Sequence, residues 1–223
     1  MSWQKMKCWI FDLDNTLYPG NLQVMPNISG RIQEFISQHL QIPIDEAVKL
    51  QDHYRQQYGT SLRGLMLHQN VSPQDFLDYV HQVDLSELNP APSLQKILRQ
   101  LPGPKYVFTN SSAQHAQEVL GKLAIADCFQ GVFDVKQANF IPKPHPEAYQ
   151  IFLNKYNIPS HQSVFFEDTA INLQPPAGHG MKTVLITASK AKDKNSIPYV
   201  HHYMPDLVEG LQGVLDMVTS GEK

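Results

Sequence analysis

Residues 7–11, Lys-Cys-Trp-Ile-Phe, form a short apolar run that stops abruptly at Asp12 and Asp14. A buried strand that ends at a polar site has this pattern. From Pro19 to about Ser93 the spacing changes from strand to helix. Ile28, Ile32, Phe35, Ile36 and Leu40 fall on one stripe of a helix. Leu50, Tyr54 and Tyr58 line up one turn apart and predict a second helix from about Asp45 to Tyr58, with Gly59 as its stop. Ser72 is a capping residue followed by Pro73 and by Asp75 in the first turn, and it predicts a third.

After the Pro90-Ala91-Pro92 punctuation, apolar runs and helical stripes alternate. Strands are expected at 106–109, 131–135, 163–167 and 183–186, helices near 93–101, 112–123 and 145–156, and a candidate edge strand at 203–204. Alternation of this kind predicts an α/β fold, a doubly wound parallel sheet with helices on both faces. The division expected is a core of residues 1–18 and 94–223 interrupted by a helical insertion, 19–93. An insertion of roughly 75 residues is large enough to be a small domain.

The length of 223 residues fits that plan and excludes both a many-domain chain and a miniature scaffold. The formal net charge is −3 and the charged residues are intermixed, so no basic face is expected to hold polymeric nucleic acid. No apolar stretch approaches a membrane span or a secretory leader. Cys8 and Cys128 could form at most one disulfide, which a core of this size does not need; both are read as reduced and the protein as cytoplasmic. The oligomeric state is left open by the residues.

Functional groups in open parallel sheets gather beyond the strands' carboxyl ends. There the sequence places Asp12-Leu13-Asp14-Asn15-Thr16, Thr109-Asn110-Ser111, Lys143-Pro144 and Glu167-Asp168-Thr169. Several carboxylates, hydroxyl and amide donors and one lysine make a set suited to phosphate and a divalent metal. A carboxylate that attacks a phosphoryl group meets a like charge, which a hard cation and a lysine would offset. Asp12 and Asp14, two residues apart at a strand end, can face one site in different environments, one as nucleophile and one as general acid.

The segments FDLDNT, VFTNS, KPHPEAY and FFEDT, in that order, resemble the four signature motifs of the haloacid dehalogenase superfamily. The resemblance spans Asp12 to Asp168 and implies a Rossmann-like core with a mobile, substrate-choosing cap. It implies Asp12 as the nucleophile that forms an aspartyl-phosphate, and Asp14 as general acid and then base. It implies Mg²⁺ held by the Asp12 carboxylate, the Asp14 backbone carbonyl and the Asp168 carboxylate. Thr109 and Asn110 would hold the phosphoryl group, Lys143 would neutralise charge, and Thr16 and Glu167 would support. Many members carry Asp where this chain has Glu167, so a supporting or water-mediated part is assigned there. The second aspartate places the likeness on the phosphatase branch.

Within the superfamily, FDLDNTLYPG, YGTSLRGLM, FTNSSAQHAQEVL and KPHPEAYQ are similar to the pyrimidine 5'-nucleotidase group. That likeness implies hydrolysis of a small phosphate ester, a pyrimidine nucleoside monophosphate such as UMP or CMP. Another small ester (phosphoglycolate, a sugar phosphate or a cofactor phosphate), a phosphomutase and a catalytically silent relative stay open as alternatives.

In the insertion, Tyr54, Tyr58, Leu62, Leu65 and Met66 are read as packing residues, and Arg63 as the candidate for substrate contact. His115 is read as structural, in the first turn of a helix. The ten histidines show no zinc spacing. Pro175-Pro176 fit a helix's first turn if Asn172 caps it.

Overall fold

The computed structural model describes residues 2–187 and 197–220. Six strands form one sheet: β1 (Cys8–Phe11), β2 (Lys105–Phe108), β3 (Gly131–Phe133), β4 (Ser163–Glu167), β5 (Lys182–Ile186) and β6 (His202–Met204). Every neighbouring pair is parallel and the order is β3-β2-β1-β4-β5-β6. The chain runs outward from β1 through β2 and β3, then returns to place β4 on the other side of β1. The crevice at the ends of β1 and β4 is therefore the topological switch point, where open α/β sheets bind ligands.

β1 is buried throughout because its alternating side chains enter two cores. Trp9 and Phe11 join the cluster on one face, Cys8 and Ile10 that on the other. A strand covered on both sides reads as a continuous apolar run, which is how the sequence presents it. Helices α5 (Pro92–Gln100), α6 (Ala113–Lys122) and α9 (Leu207–Thr219) supply Ile97, Val119 and Leu211 to the first face. Helix α7 (Pro146–Tyr156) covers the second with Tyr149 and Phe152. Burying each such side chain stabilises the fold by ~1.5–3 kcal/mol.

Between β1 and α5 lie α1 (Val24–Leu40), α2 (Ile44–Tyr58), α3 (Ser61–Gln69) and α4 (Pro73–Val80). Ile36, Ala47, Tyr54, Leu65 and Phe76 give these helices a cluster of their own. The predicted stripe on α1 divides its work: Ile28 packs with the sheet's cluster and Ile36 with the helical one. Gly59 ends α2 with φ +83°, a left-handed value that glycine adopts without Cβ strain. A Cβ there would also lie 3.0 Å from the Lys143 carbonyl oxygen, so the glycine lets the insertion approach the core closely.

Several features differ from the sequence expectation: β3 stops at Phe133, two residues short of the expected end, and β5 and β6 each start one residue early. The insertion holds four helices instead of three; α3 starts where the Thr60 side chain accepts from Arg63 N. β2 begins one residue early, at Lys105, whose buried Nζ donates to the carbonyls of Leu101 and Gly103 at 2.7 and 2.8 Å. Helix α8 (Gln174–Gly178) has its prolines in the first turn as expected, but a short turn at Ala170–Leu173 precedes it and Leu173, not Asn172, is its N-cap. Among the described residues, no helix is long and apolar enough to cross a membrane.

Candidate active site

The ends of β1 and β4 bring Asp12, Glu167 and Asp168 together, with a ligand oxygen from each lying within 4.8 Å of the others. The loop before α7 inserts Lys143 among them. Its buried Nζ donates to Asp12 Oδ1 at 2.6 Å, Glu167 Oε2 at 2.7 Å and the Phe108 carbonyl at 2.9 Å. Three acceptors use all three ammonium hydrogens. Thr16 Oγ1 donates to the other oxygen of Asp12 at 3.1 Å, and Thr169 N donates to Glu167 Oε1 at 3.2 Å.

Three carboxylates face one ammonium, and the charge balance shows in their acidities. Burial, together with the neighbouring charge of Glu167, pushes Asp12 up to about 7, although Lys143 opposes this. Burial likewise pushes Glu167 up to about 7, with Lys143 opposing and Asp168 adding to the rise. Asp168 is raised by burial and by Asp12. Burial works against the charge on Lys143, but the two carboxylates outweigh it and hold the ammonium above its ordinary range.

With these groups ionised, three negative charges against one positive leave two uncompensated, as a divalent cation would require. The donors are hard oxygens, which suit Mg²⁺ or Ca²⁺ over softer metals. Asn15 lines a cavity together with Asp168, and its buried Oδ1 has no hydrogen-bond partner. On charge and donor type, the cluster fits a hard divalent ion.

Asp14 sits in a different environment. Tyr18 OH donates to its Oδ1 at 2.8 Å, His115 Nε2 lies 3.0 Å from the same oxygen, and Ser111 Oγ donates to Oδ2 at 2.8 Å. Burial opposes ionisation of Asp14, but the bonds from His115, Tyr18 and Ser111 together outweigh it and hold its carboxyl below the usual range. Two carboxylates two residues apart are thus pushed in opposite directions. His115, read from the sequence as structural, is fully buried against Asp14. The available signal was a histidine four residues before Val119 on the buried stripe of α6.

Thr109 is buried and its Oγ1 accepts from Ser111 N at 2.9 Å. The Asn110 side chain clasps the Lys143 main chain, accepting from its N–H at 2.8 Å and donating to its carbonyl at 3.2 Å. That clasp fixes the loop that carries Lys143. Two cavities adjoin Asn110. One, of about 790 Å³, has Arg55, Tyr58, Arg63 and Lys143 in its walls. The other, of about 410 Å³, is bounded by Ile28, Gln51, Phe76 and Ser111. Tyr54, Leu62, Leu65 and Met66 pack in the helical cluster as expected, whereas Tyr58 also faces the larger cavity.

A profile of haloacid dehalogenase-like hydrolases matches residues 6–180. The chain belongs to that family and is a hydrolase with its Rossmann-like fold. Among its relatives, Phosphate metabolism protein 8 of Saccharomyces cerevisiae is 29% identical over 197 residues, covering 80% of this chain and 61% of the yeast protein. The chain thus spans less than two thirds of that relative's length. Glyceraldehyde 3-phosphate phosphatase of Methanocaldococcus jannaschii is 24% identical over 228 residues, 96% of this chain and 97% of the archaeal one. A HAD phosphatase from Thermococcus onnurineus shares the fold, with a TM-score of 0.62 at 18% identity over 94% of this chain and 98% of the other.

Proposed function

We propose that this chain is a Mg²⁺-dependent phosphomonoesterase that works through an aspartyl-phosphate on Asp12, with pyrimidine nucleoside 5'-monophosphates as its substrates. The observation that carries the reading is the contrast between Asp12, bonded to Lys143 beside Glu167 and Asp168, and Asp14, bonded to neutral donors and His115. Asp12 lies in a centre built for phosphoryl charge, whereas the donors on Asp14 favour its ionised form, the form that takes a proton from water, and it must carry a proton before it can serve as the acid. Two relatives, a glyceraldehyde 3-phosphate phosphatase and a phosphate metabolism protein, agree with this chemistry.

Asp12, Asp168 and the backbone carbonyl of Asp14 would hold the magnesium, with Glu167 supporting them. When bound, it supplies positive charge beside the phosphoryl oxygens. Asp12 attacks phosphorus as the ester P–O bond breaks, and Asp14 gives its proton to the departing oxygen. Water then attacks the aspartyl-phosphate, Asp14 takes a proton from it, and Asp12 is released with orthophosphate. Lys143 holds Asp12 in place and offsets charge throughout. The Thr109 hydroxyl and the Asn110 backbone N–H supply donors to the phosphoryl oxygens, since the Asn110 side chain is committed to Lys143, Thr109 N to the Phe133 carbonyl and Ser111 N to Thr109 Oγ1.

Residues 19–93 act as a cap over the core of 1–18 and 94–223, with Arg63 a contact for the leaving group. The two cavities beside Asn110 leave room for a leaving group the size of a nucleoside. A cytoplasmic setting suits the two free, buried cysteines.

Orthophosphate release from UMP, CMP, AMP, GMP, phosphoglycolate, sugar phosphates and pyridoxal phosphate, with Mg²⁺ and with EDTA, tests the reading. Metal-dependent release led by the pyrimidine nucleotides is the expected result. A lead for another ester would remove the nucleotidase assignment, and no metal-dependent release from any ester would remove the phosphatase.

A further inference from the structure

The three donors on Asp14 are unequally shared. Tyr18 OH and His115 Nε2 both address Oδ1, while Oδ2 receives only the Ser111 hydroxyl. A carboxylate oxygen accepts about two hydrogen bonds in the carboxylate plane. Oδ1 is therefore saturated by the protein, and Oδ2 keeps one position open. Since an ionised carboxylate only accepts, His115 Nε2 carries a hydrogen directed at Asp14, while the ring's buried Nδ1 has no hydrogen-bond partner.

The histidine is held from its other side by the helical insertion. His81, the residue that ends α4, stacks on His115 with ring centroids 4.6 Å apart and planes 15° from parallel. Its Nδ1 lies 3.0 Å from Ser112 Oγ. Ser112 Oγ already accepts from the backbone N–H of His115 at 3.3 Å, so its own hydrogen is free to go to His81. A serine at the start of α6 and a histidine at the end of α4 thus lock one imidazole against one carboxylate oxygen.

We propose that His115, with Tyr18, is a positioning residue that makes Oδ2 the proton-exchanging oxygen of Asp14, and that His81 holds the His115 ring in that role from the insertion. The proposal rests on the reading of Asp14 as general acid and base. In the first half-reaction the proton on Oδ2 passes to the ester oxygen as the P–O bond breaks. In the second, the attacking water returns a proton to Oδ2. Without His115, Oδ1 has a free position, the carboxyl group can turn, and the proton can sit on the wrong oxygen.

Misplacement of a general acid costs most where the leaving oxygen most needs its proton. The test is therefore kcat/KM, with Mg²⁺, across substituted phenyl phosphates from electron-poor to electron-rich leaving groups, with an alkyl monoester at the far end. kcat/KM follows the enzyme up to the first phosphoryl transfer and is not masked by slow hydrolysis of the intermediate. General acid catalysis contributes ~10²–10⁴-fold. His115→Phe, which keeps a ring for His81 to stack on, is expected to lose on the order of 10²-fold on the alkyl ester. On 4-nitrophenyl phosphate its loss should stay below about tenfold, within the same general-acid range. His115→Gln returns an N–H near Nε2 and should recover most of the loss. His81→Ala should show the same slope more weakly.

Each comparison is a ratio between substrates on one preparation, so a partly unfolded variant lowers every rate alike and leaves the slope unchanged. A uniform loss across the series, or no rescue by Gln, would overturn the positioning role. Asp14→Asn on the same series separates this inference from the reading beneath it. If that variant shows no dependence on the leaving group, Asp14 is not the acid. If it does and His115→Phe does not, only the positioning role falls.

Discussion

A buried ammonium shared by two carboxylates is a position where substitution changes charge far more than volume. Lys143→Met keeps the length of the side chain but leaves Asp12 and Glu167 facing each other in a dry site. Breaking a buried pair by removing one partner costs ~3–5 kcal/mol, so urea unfolding near neutral pH should show a loss of that order together with loss of phosphate release. A stability change below about 1 kcal/mol, the range of an exposed ion pair, would mean the carboxylates are compensated in some other way. Asp12→Asn makes the opposite change, removing one negative charge from a crowded centre. It should abolish turnover and leave the melting temperature unchanged or higher; retained turnover would remove Asp12 as nucleophile. Asp12, Asp14, Lys143 and Asp168 were legible in the sequence because each is a charge at the end of an apolar run or before a predicted helix. His115 was not, because what marks it is a carboxylate 101 residues away.

At the scale of the element, the strands were the most readable parts, since burial on both faces leaves an unbroken apolar run such as Cys8–Phe11. Helix α3 was the least readable. It is short, and Gly64 lowers helix propensity at its centre by ~1 kcal/mol relative to Ala. The glycine is needed for packing instead. A Cβ at Gly64 would lie 2.2 Å from Cγ and 2.6 Å from Cβ of Tyr54 on α2. Those atoms belong to the root of a buried side chain and cannot swing aside. Propensity alone predicts that Gly64→Ala stabilises the chain; packing predicts that it destabilises by ~1–3 kcal/mol, the usual cost of overpacking. Thermal unfolding decides between them. A raised melting temperature would show that α2 and α3 do not meet as closely as described. Lys105 opens β2 because the carbonyls of Leu101 and Gly103, four and two residues before it, accept from its buried ammonium.

At the scale of the whole molecule, folding joins the two halves of the sheet at the seam between β1 and β4 and so gathers like charges at one end of that seam. Asp12 and Glu167 are each pushed up to about 7 in the fold, against ~4 for free carboxyl groups. Between those values the folded protein binds protons that the unfolded chain has released. The unfolded state then holds fewer protons, and stability falls as pH rises through the window. Asp14, held below the ordinary range, loses its contribution only on acidification beyond that window. A cation that binds these oxygens competes with the same protons and stabilises only the folded state. In EDTA the melting temperature should therefore drop between about pH 5.5 and about pH 7.5, and Mg²⁺ should restore it mainly at the upper end. Asp168→Asn, which removes one charge from the cluster, should shrink the Mg²⁺ increment near pH 7.5. Equal increments at the two pH values would show that protons and metal do not share these oxygens, and would move the metal away from Asp12, Glu167 and Asp168.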